Sequence, residues 1–564
     1  MTAAPRILSD ALPAEEIAAK LGRMGARAFQ PIAFRLSQAG PMPDRLRAAP
    51  KSYRAGNLER GEEIHKGRFV LDGVALEAGG NPWIAPLPAG VRFREELESF
   101  AWLKHLGAID RLVPAGVVEV RERARALAES WIESHGTFAQ PAWAPAIVGR
   151  RMISWLTEGA LLSDGADLIW RSKFFGSLAQ QARFLNSVVD LAPAGLPRLT
   201  ALAGVLLSCL ALGDAGPRRT RGSRLLVEEL GAQIRSDGGH VSRSPAVQAE
   251  LLADLLALRD AFHQSHTPAP RALEETVARM LAMLKLWHVG EGRLAAFNGA
   301  GLEAPESVLA ILAADPGVSA AITSARDTGF ERLEAGETAL IVDCGGEAPI
   351  AFAEFTHTGA AAFEFAAAGM PIVVNCGRSA SSDSQARVFR TAAAHSTLSF
   401  VGAPARATTP GALAARLTPA EIEARREDAQ GGAFLEISRV IADHGHKHVR
   451  RLYLDAGGTD LRGEDKIEPV EGTGTAAAAQ YRLRFHLHPA VEAELRDGHI
   501  ELRASDGEAW QFRCRGGELA LTQSIFNGPR GALATKQIVI RGEAGGEAIA
   551  VSWAFRRIAA NAPG

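Results

Sequence analysis

At 564 residues the chain is three to four times the length of a single domain of roughly 150 residues, so at least two sizeable cores are expected. Apolar residues at 47% and charged residues at 22% exclude a chain that is disordered as a whole. Basic and acidic side chains number 62 and 64, a formal charge of −2, so the overall balance gives no attraction for nucleic acid or an anionic membrane.

At the amino end Asp10, Glu15 and Glu16 interrupt the region where a secretory signal would be continuously apolar, and Ile17, Leu21 and Met24 follow helical spacing. This predicts a cytoplasmic protein. From Phe93 to His288 apolar residues recur at helical spacing between short Pro/Gly breaks, which predicts helices near 94–106, 116–134, 144–160, 168–188, 196–212, 223–235, 245–264 and 270–288. Short connections favour antiparallel neighbours, so this half reads as packed hairpins in a bundle or toroid. The helix after Ser244 is the best marked: Ser244 can cap it, Pro245 suits its first turn, and Leu251, Leu252, Leu255, Leu256 and Phe262 form a buried stripe. The most apolar stretch, Ala201 to Leu212, is about half of the roughly 20 residues a membrane span needs.

After about Ala325 the pattern changes to short branched runs bounded by Gly or Asp, among them Ala339 to Asp343, Ile372 to Asn375, Thr397 to Phe400 and Ile538 to Ile540. Arg482 to His488 alternates polar and apolar residues as a half-buried strand does. The second half is therefore predicted to be an antiparallel β-sandwich, with Ala403 to Ala429 as an excursion out of the sheet. His444, His446 and His448, and likewise His486 and His488, are expected on exposed sandwich faces. Cys209, Cys344, Cys376 and Cys514 have no C-x-x-C spacing and signal neither a disulfide scaffold nor a cysteine-bound zinc module.

The run Asp237-Gly238-Gly239-His240-Val241-Ser242-Arg243-Ser244-Pro245 and the leucine-rich helix after it resemble the heparinase II/III family of polysaccharide lyases. Phe363-Glu364-Phe365, Ile372 to Gly377 and Thr391 to Leu398 extend the resemblance into the second half. It implies an incomplete α/α toroid of helical hairpins over 1–325 followed by an antiparallel β-sandwich over 326–564. It also implies β-elimination on a uronic-acid-containing poly- or oligosaccharide, and a periplasmic location as the alternative to the cytoplasm.

That chemistry needs a base for the C5 proton, groups that stabilise the enolate-like carboxylate, and an acid, usually tyrosine, for the leaving oxygen. The resemblance makes His240 the candidate base and places Arg243 and Arg150 on the carboxylate. The slot of the family's tyrosine is Val247, and the only tyrosines of the chain are Tyr53, Tyr453 and Tyr481. The family's zinc site maps onto His357, Asn375 and His395, but the His-x-His-x-Asp run reads Phe355-Thr356-His357-Thr358-Gly359, with no carboxylate. Arg150 and Arg151 lead the helix of Trp155. Sugar clefts set arginines against acid groups and aromatic faces against the ring, so these three are the expected substrate-binding residues, although aromatics at helical spacing are more often core. A second reading of the whole is a catalytically degenerate carbohydrate-binding or cell-envelope-related protein.

Overall fold

The computed structural model describes residues 25 and 28–558, apart from 80, 86–89, 214–215, 315–316, 318–320, 380–383, 403–421 and 471–477. Helix α1 covers 28–37. The toroid continues through α2 (Leu58–His65), α3 (Val91–Ser99), α4 (Leu103–Leu112), α5 (Val117–Ser134), α6 (Pro145–Thr157), α7 (Gly159–Ser163), α8 (Leu168–Val188), α9 (Leu196–Leu212), α10 (Pro217–Gln233), α11 (Pro245–Gln264), α12 (Arg271–Trp287) and α13 (Pro305–Leu312). A hairpin of β1 (Arg68–Leu71) and β2 (Val74–Glu77) follows α2, and β3 (His288–Gly290) pairs with β4 (Arg293–Leu294) after α12.

Local chemistry sets the helix ends. The Ser244 hydroxyl accepts from Val247 N–H (3.5 Å) with Pro245 in the first turn of α11, and Asp167 accepts from Trp170 N–H (2.8 Å) at the start of α8. Helices α6 and α9 cross closely because both carry glycine at the crossing. A Cβ on Gly149 would stand 2.7 Å from the Ala201 Cα, and one on Gly204 would stand 2.8 Å from the Gly149 Cα. The single helix expected over 94–106 is two helices. Phe100 takes a left-handed conformation (φ 55°), and its ring stacks between Trp83 and Trp102, with centroids 5.4 and 4.8 Å away. Burying that ring outweighs continuation of the helix.

The sandwich begins with β5 (Ser324–Ala325), β6 (Phe330–Ala335), β7 (Thr338–Asp343), β8 (Phe363–Ala367), β9 (Met370–Val374) and β10 (Leu398–Phe400). It continues through β11 (Ile422–Ala429), β12 (Gly432–Ile441), β13 (His446–Asp455), β14 (Asp460–Pro469), β15 (Ala479–Leu487) and β16 (Val491–Arg496). The last strands are β17 (His499–Ala504), β18 (Ala509–Arg515), β19 (Glu518–Gly528), β20 (Gly531–Ala544) and β21 (Ile549–Ile558). One sheet has the order β19-β20-β15-β9-β8-β7-β6-β5 with β10 on β15, and the other β11-β12-β13-β14-β21-β18-β17-β16. The first faces the helices: Phe330, Ile341, Ala362 and Ala366 belong to the toroid's core, while Phe363, Phe485, Trp510 and Phe555 fill the space between the sheets.

Two expectations are corrected here. The charged run that ends the supposed excursion is edge strand β11, paired along its length with β12, where alternating charges suit an open sheet edge; 403–421 lie outside the described residues. His446, His448 and His486 are buried rather than exposed. His448 Nε2 lies 2.6 Å from Asp465, which also binds Arg450, so the polar set of β13 belongs to a buried ion cluster.

Candidate functional site

The loop 235–243 lies where the toroid meets the first sheet, and nearly every polar atom in it is engaged. His240 is fully buried. Its Nδ1 accepts from Ser242 N–H (3.1 Å) and lies 2.8 Å from the Ser242 hydroxyl, which leaves Nε2–H to donate to Gln233 Oε1 (2.9 Å). His240 N–H donates to Gln248 Oε1 (3.0 Å), and the Gln248 amide donates to Gly238 and Met280 carbonyls. Burial, then the nearby Arg235 charge, pushes the His240 pKa down to about 3. The structure thus places His240 in a closed network, with Phe352 edge-on to its ring at 5.2 Å, instead of on an open cleft wall.

Arg243 fastens the two domains. Its guanidinium donates to the carbonyls of Thr328 (2.8 Å), Gly329 (3.2 Å) and Gly346, and it pairs with buried Asp343 at the end of β7. The residue holds a left-handed backbone (φ 59°), and Gly345 lies so close that a Cβ there would strike the guanidinium. Asp237 joins the same fastening by accepting from Thr328 N–H (2.7 Å) and its hydroxyl (2.6 Å).

His357 and His395 do come together. His395 Nδ1–H donates to the Thr391 carbonyl (2.8 Å), so its Nε2 accepts from His357 Nδ1–H (3.1 Å). Burial holds the His357 pKa well below the usual range and lowers His395 to about 4. Asn375 points elsewhere: its Oδ1 accepts from Ser396 N–H (2.9 Å) and its amide donates to Glu364 Oε1 (3.3 Å). Two imidazoles engaged with each other and an amide committed to β-strand ends do not fit a zinc ion. Among the described residues no cluster of three or more His, Cys, Asp or Glu stands ready for a metal.

Of the expected sugar contacts, Arg150 alone borders solvent. It reaches Asp254 (2.8 Å) and Glu250 (2.9 Å) of α11. The expected roles of Arg151 and Trp155 in substrate binding give way to packing. Arg151 is fully buried, donating to Gln181, Glu98 and Ala142 with its guanidinium 3.9 Å from the Trp131 ring, and Trp155 sits between Phe100, Trp131 and Phe174. Val247 is 2% exposed, in the first turn of α11. No tyrosine hydroxyl reaches this seam: Tyr53 donates to Asp260 (2.9 Å), Tyr481 lies between the sheets, and Tyr453 stands on the outer sheet bonded to Gly431. A groove of about 670 Å³ lies apart from it, at the sandwich mouth near Glu492, Arg503 and Lys536.

Gln233, Gln248 and Asp343 carry no motif signal in the sequence, whereas Asp254 stands within a run of leucines, where a charge needs buried partners.

Comparison with known proteins now settles the family. Residues 318–554 match the heparinase II/III-like C-terminal domain. The chain is 33% identical over 502 residues, 85% of its length and 84% of the other, to the FtsZ-localized protein C of Caulobacter vibrioides. The chain belongs to the heparinase II/III-like family. Solved lyases share the fold of the whole chain: a heparinase III superposes with a TM-score of 0.65 at 14% identity, covering 97% of this chain and 91% of that one. The heparan sulfate lyase HepC mutant from Pedobacter heparinus gives 0.60 at 14% identity, covering 98% and 91%. In this family member the α/α toroid and sandwich are kept, while the Asp-Gly-Gly-His loop works as a fastening between them. Among the described residues no helix is long and apolar enough to cross a membrane.

Proposed function

We propose that this protein is a catalytically silent member of the lyase-fold family that acts as a docking module of FtsZ-containing assemblies. One observation carries the silent half of the reading: the groups at the family's motif positions are engaged within the protein. The His240 lone pair is taken by Ser242, Arg243 is held by Asp343 and three carbonyls, and the tyrosine slot holds buried Val247. A β-elimination would lack both a free base and a tyrosine acid there. The docking half is supported by the relationship to the FtsZ-localized protein C across most of both chains. On this reading the protein works in the compartment of FtsZ, and acidic glycans are not turned over.

The test has two arms. Purified protein is incubated with a panel of uronate polymers while absorbance of the unsaturated product is followed, and it is sedimented with FtsZ polymers from its own source. No product and co-sedimentation are expected. Product formation would restore the lyase reading, and failure to sediment with FtsZ would remove the docking role.

A further inference from the structure

At one end of the sandwich, edge strand β16 of the outer sheet lies beside the β19–β20 hairpin that ends the first sheet. The groove of about 670 Å³ opens between them, lined by the small side chains of Ala493, Ala534 and Thr535. β16 is paired on one side only, with Val491 opposite Ala504 and Arg496 opposite His499 of β17. Ser505 N–H donates to the Ala490 carbonyl (3.1 Å), so every second residue from Ala490 bonds toward β17. Ala493 and Leu495 therefore turn their N–H and C=O, and Val491 its C=O, toward the open edge. Lys536 of β20 agrees with that phase, because its ammonium reaches across the groove to the Ala493 carbonyl (2.8 Å). A lysine stands where the N–H of a neighbouring strand would stand.

The side chains of β16 alternate. Val491 and Ala493 join the core between the sheets, while Glu492 and Glu494 stand exposed on the other face. Glu494 is opposite Glu501 of β17, and Arg496 at the hairpin end joins both, at 2.8 and 3.5 Å. Glu492 is opposite Arg503, yet Arg503 pairs with Glu501 (3.9 Å), and Glu492 has no ion pair among the described residues. The cations of the groove are thus committed, Lys536 to a carbonyl and the two arginines to Glu501, and the row nearest the open edge is acidic.

We propose that β16 is a docking edge that takes an extended segment of a partner protein as an added strand, its basic side chains alternating with apolar ones. The apolar residues lie opposite Val491, Ala493 and Leu495, exchange backbone hydrogen bonds with them, and fill the groove over Ala493 and Ala534. The basic residues fall on the face of Glu492 and Glu494. The Lys536 ammonium yields the Ala493 carbonyl to the incoming N–H. The inference goes beyond the docking role by naming a surface and its chemistry, and it does not require FtsZ to be the partner.

Fluorescence anisotropy of a labelled peptide of three Lys-Val repeats, titrated with the full chain, tests this. It should bind about tenfold or more tightly than a peptide of Glu-Val repeats. Methylation of the valine amides, which face the β16 edge, should abolish binding, whereas methylation of the lysine amides, which face away, should keep it within about threefold. Glu492→Lys, an exposed change, should weaken binding about tenfold with unchanged melting, and Lys536→Met should tighten it by freeing the Ala493 carbonyl. Equal binding of the Glu-Val peptide, equal loss on methylating either set of amides, no binding at millimolar peptide, full affinity in Glu492→Lys, or no gain in Lys536→Met would each overturn the assignment. So would a concentration-dependent dimer abolished by Ala493→Pro, since the edge would then belong to a second copy of the chain.

Discussion

Replacing Arg243 by methionine isolates what the motif loop does for the protein. The guanidinium is nearly closed to solvent, as is Asp343, with side-chain exposures of 6% and 4%. Removing one partner of such a pair leaves a buried charge without its counterion, at a cost of about 3–5 kcal/mol. The carbonyls of Thr328, Gly329 and Gly346 lose their donor at the same time. Protonation of Asp343 limits the loss: burial already raises its pKa with Arg243 present, and without the cation it rises further. A net destabilisation of about 3 kcal/mol is therefore expected. Because these contacts join loop 235–243 to the first sheet, the loss should also uncouple the two halves. Urea unfolding followed by helical circular dichroism, which reports the toroid, should precede the loss of sandwich structure in Arg243→Met and coincide with it in the parent. Adding Asp343→Asn removes the orphaned charge and should recover about 1–2 kcal/mol. A change below about 0.5 kcal/mol with coincident transitions would refute the fastening role.

Val247→Tyr should cost about 1–3 kcal/mol by overpacking a buried position, read as a lower urea midpoint, and should create no eliminase activity. His240→Ala should destabilise by about 2–4 kcal/mol, since Gln233 and the Ser242 hydroxyl lose buried partners; unchanged thermal unfolding would show that the network is dispensable. Stability should also fall on acidification. His105, His240 and His486 are held neutral to about pH 3 and His395 to about 4, so below about pH 6.5 the unfolded chain takes up protons the folded one refuses. Glu158 and Glu364, raised to about 7 by burial, act oppositely and regain stability as pH falls from about 7 to 4.5. His448 and His488, lowered to about 4, and His357 act in the same sense as the other histidines, so the histidines outweigh the two carboxylates and stability should fall between about pH 6.5 and 4.5; a flat unfolding midpoint across that range would contradict the histidine environments.

Both halves and several helix ends are legible in the sequence because burial and capping leave local marks, whereas α10 begins at Pro217, not near 223. The Ser244-Pro245 start of α11 and the hairpin order of α8 to α12 were readable for that reason. The split at Phe100 was not, since the helical period runs across it and only the stacked rings of Trp83 and Trp102 impose the break. Sites were harder still. Arg150 and Arg151 are neighbours in sequence, yet one borders solvent and the other lies against Trp131 in the core, because a helix turns about 100° between successive residues. The histidines of β13 alternate as exposed residues would, and the buried Asp465 that draws His448 inward comes from the next strand.

The departures from the family's motifs form a physical set. An open cleft can spare the hydrogen bonds of its catalytic groups, because water satisfies them between turnovers. Val247 is buried where the family's motif has tyrosine, and the buried His240 must find protein partners or lose stability. Gln233, Ser242 and Gln248 are those partners, and Asp343 is the one for Arg243. On the proposed reading, a tyrosine introduced at residue 247 alone leaves His240 bonded and the Arg243 guanidinium committed. Elimination through His240 would need the loop opened as well, at least by Ser242→Ala, which frees the His240 Nδ1 from the hydroxyl. The backbone N–H of residue 242 would still hold Nδ1, so the double variant Val247→Tyr, Ser242→Ala should remain inactive on uronate polymers. Measurable product from it would show that the fold tolerates the open state far more cheaply than these contacts imply.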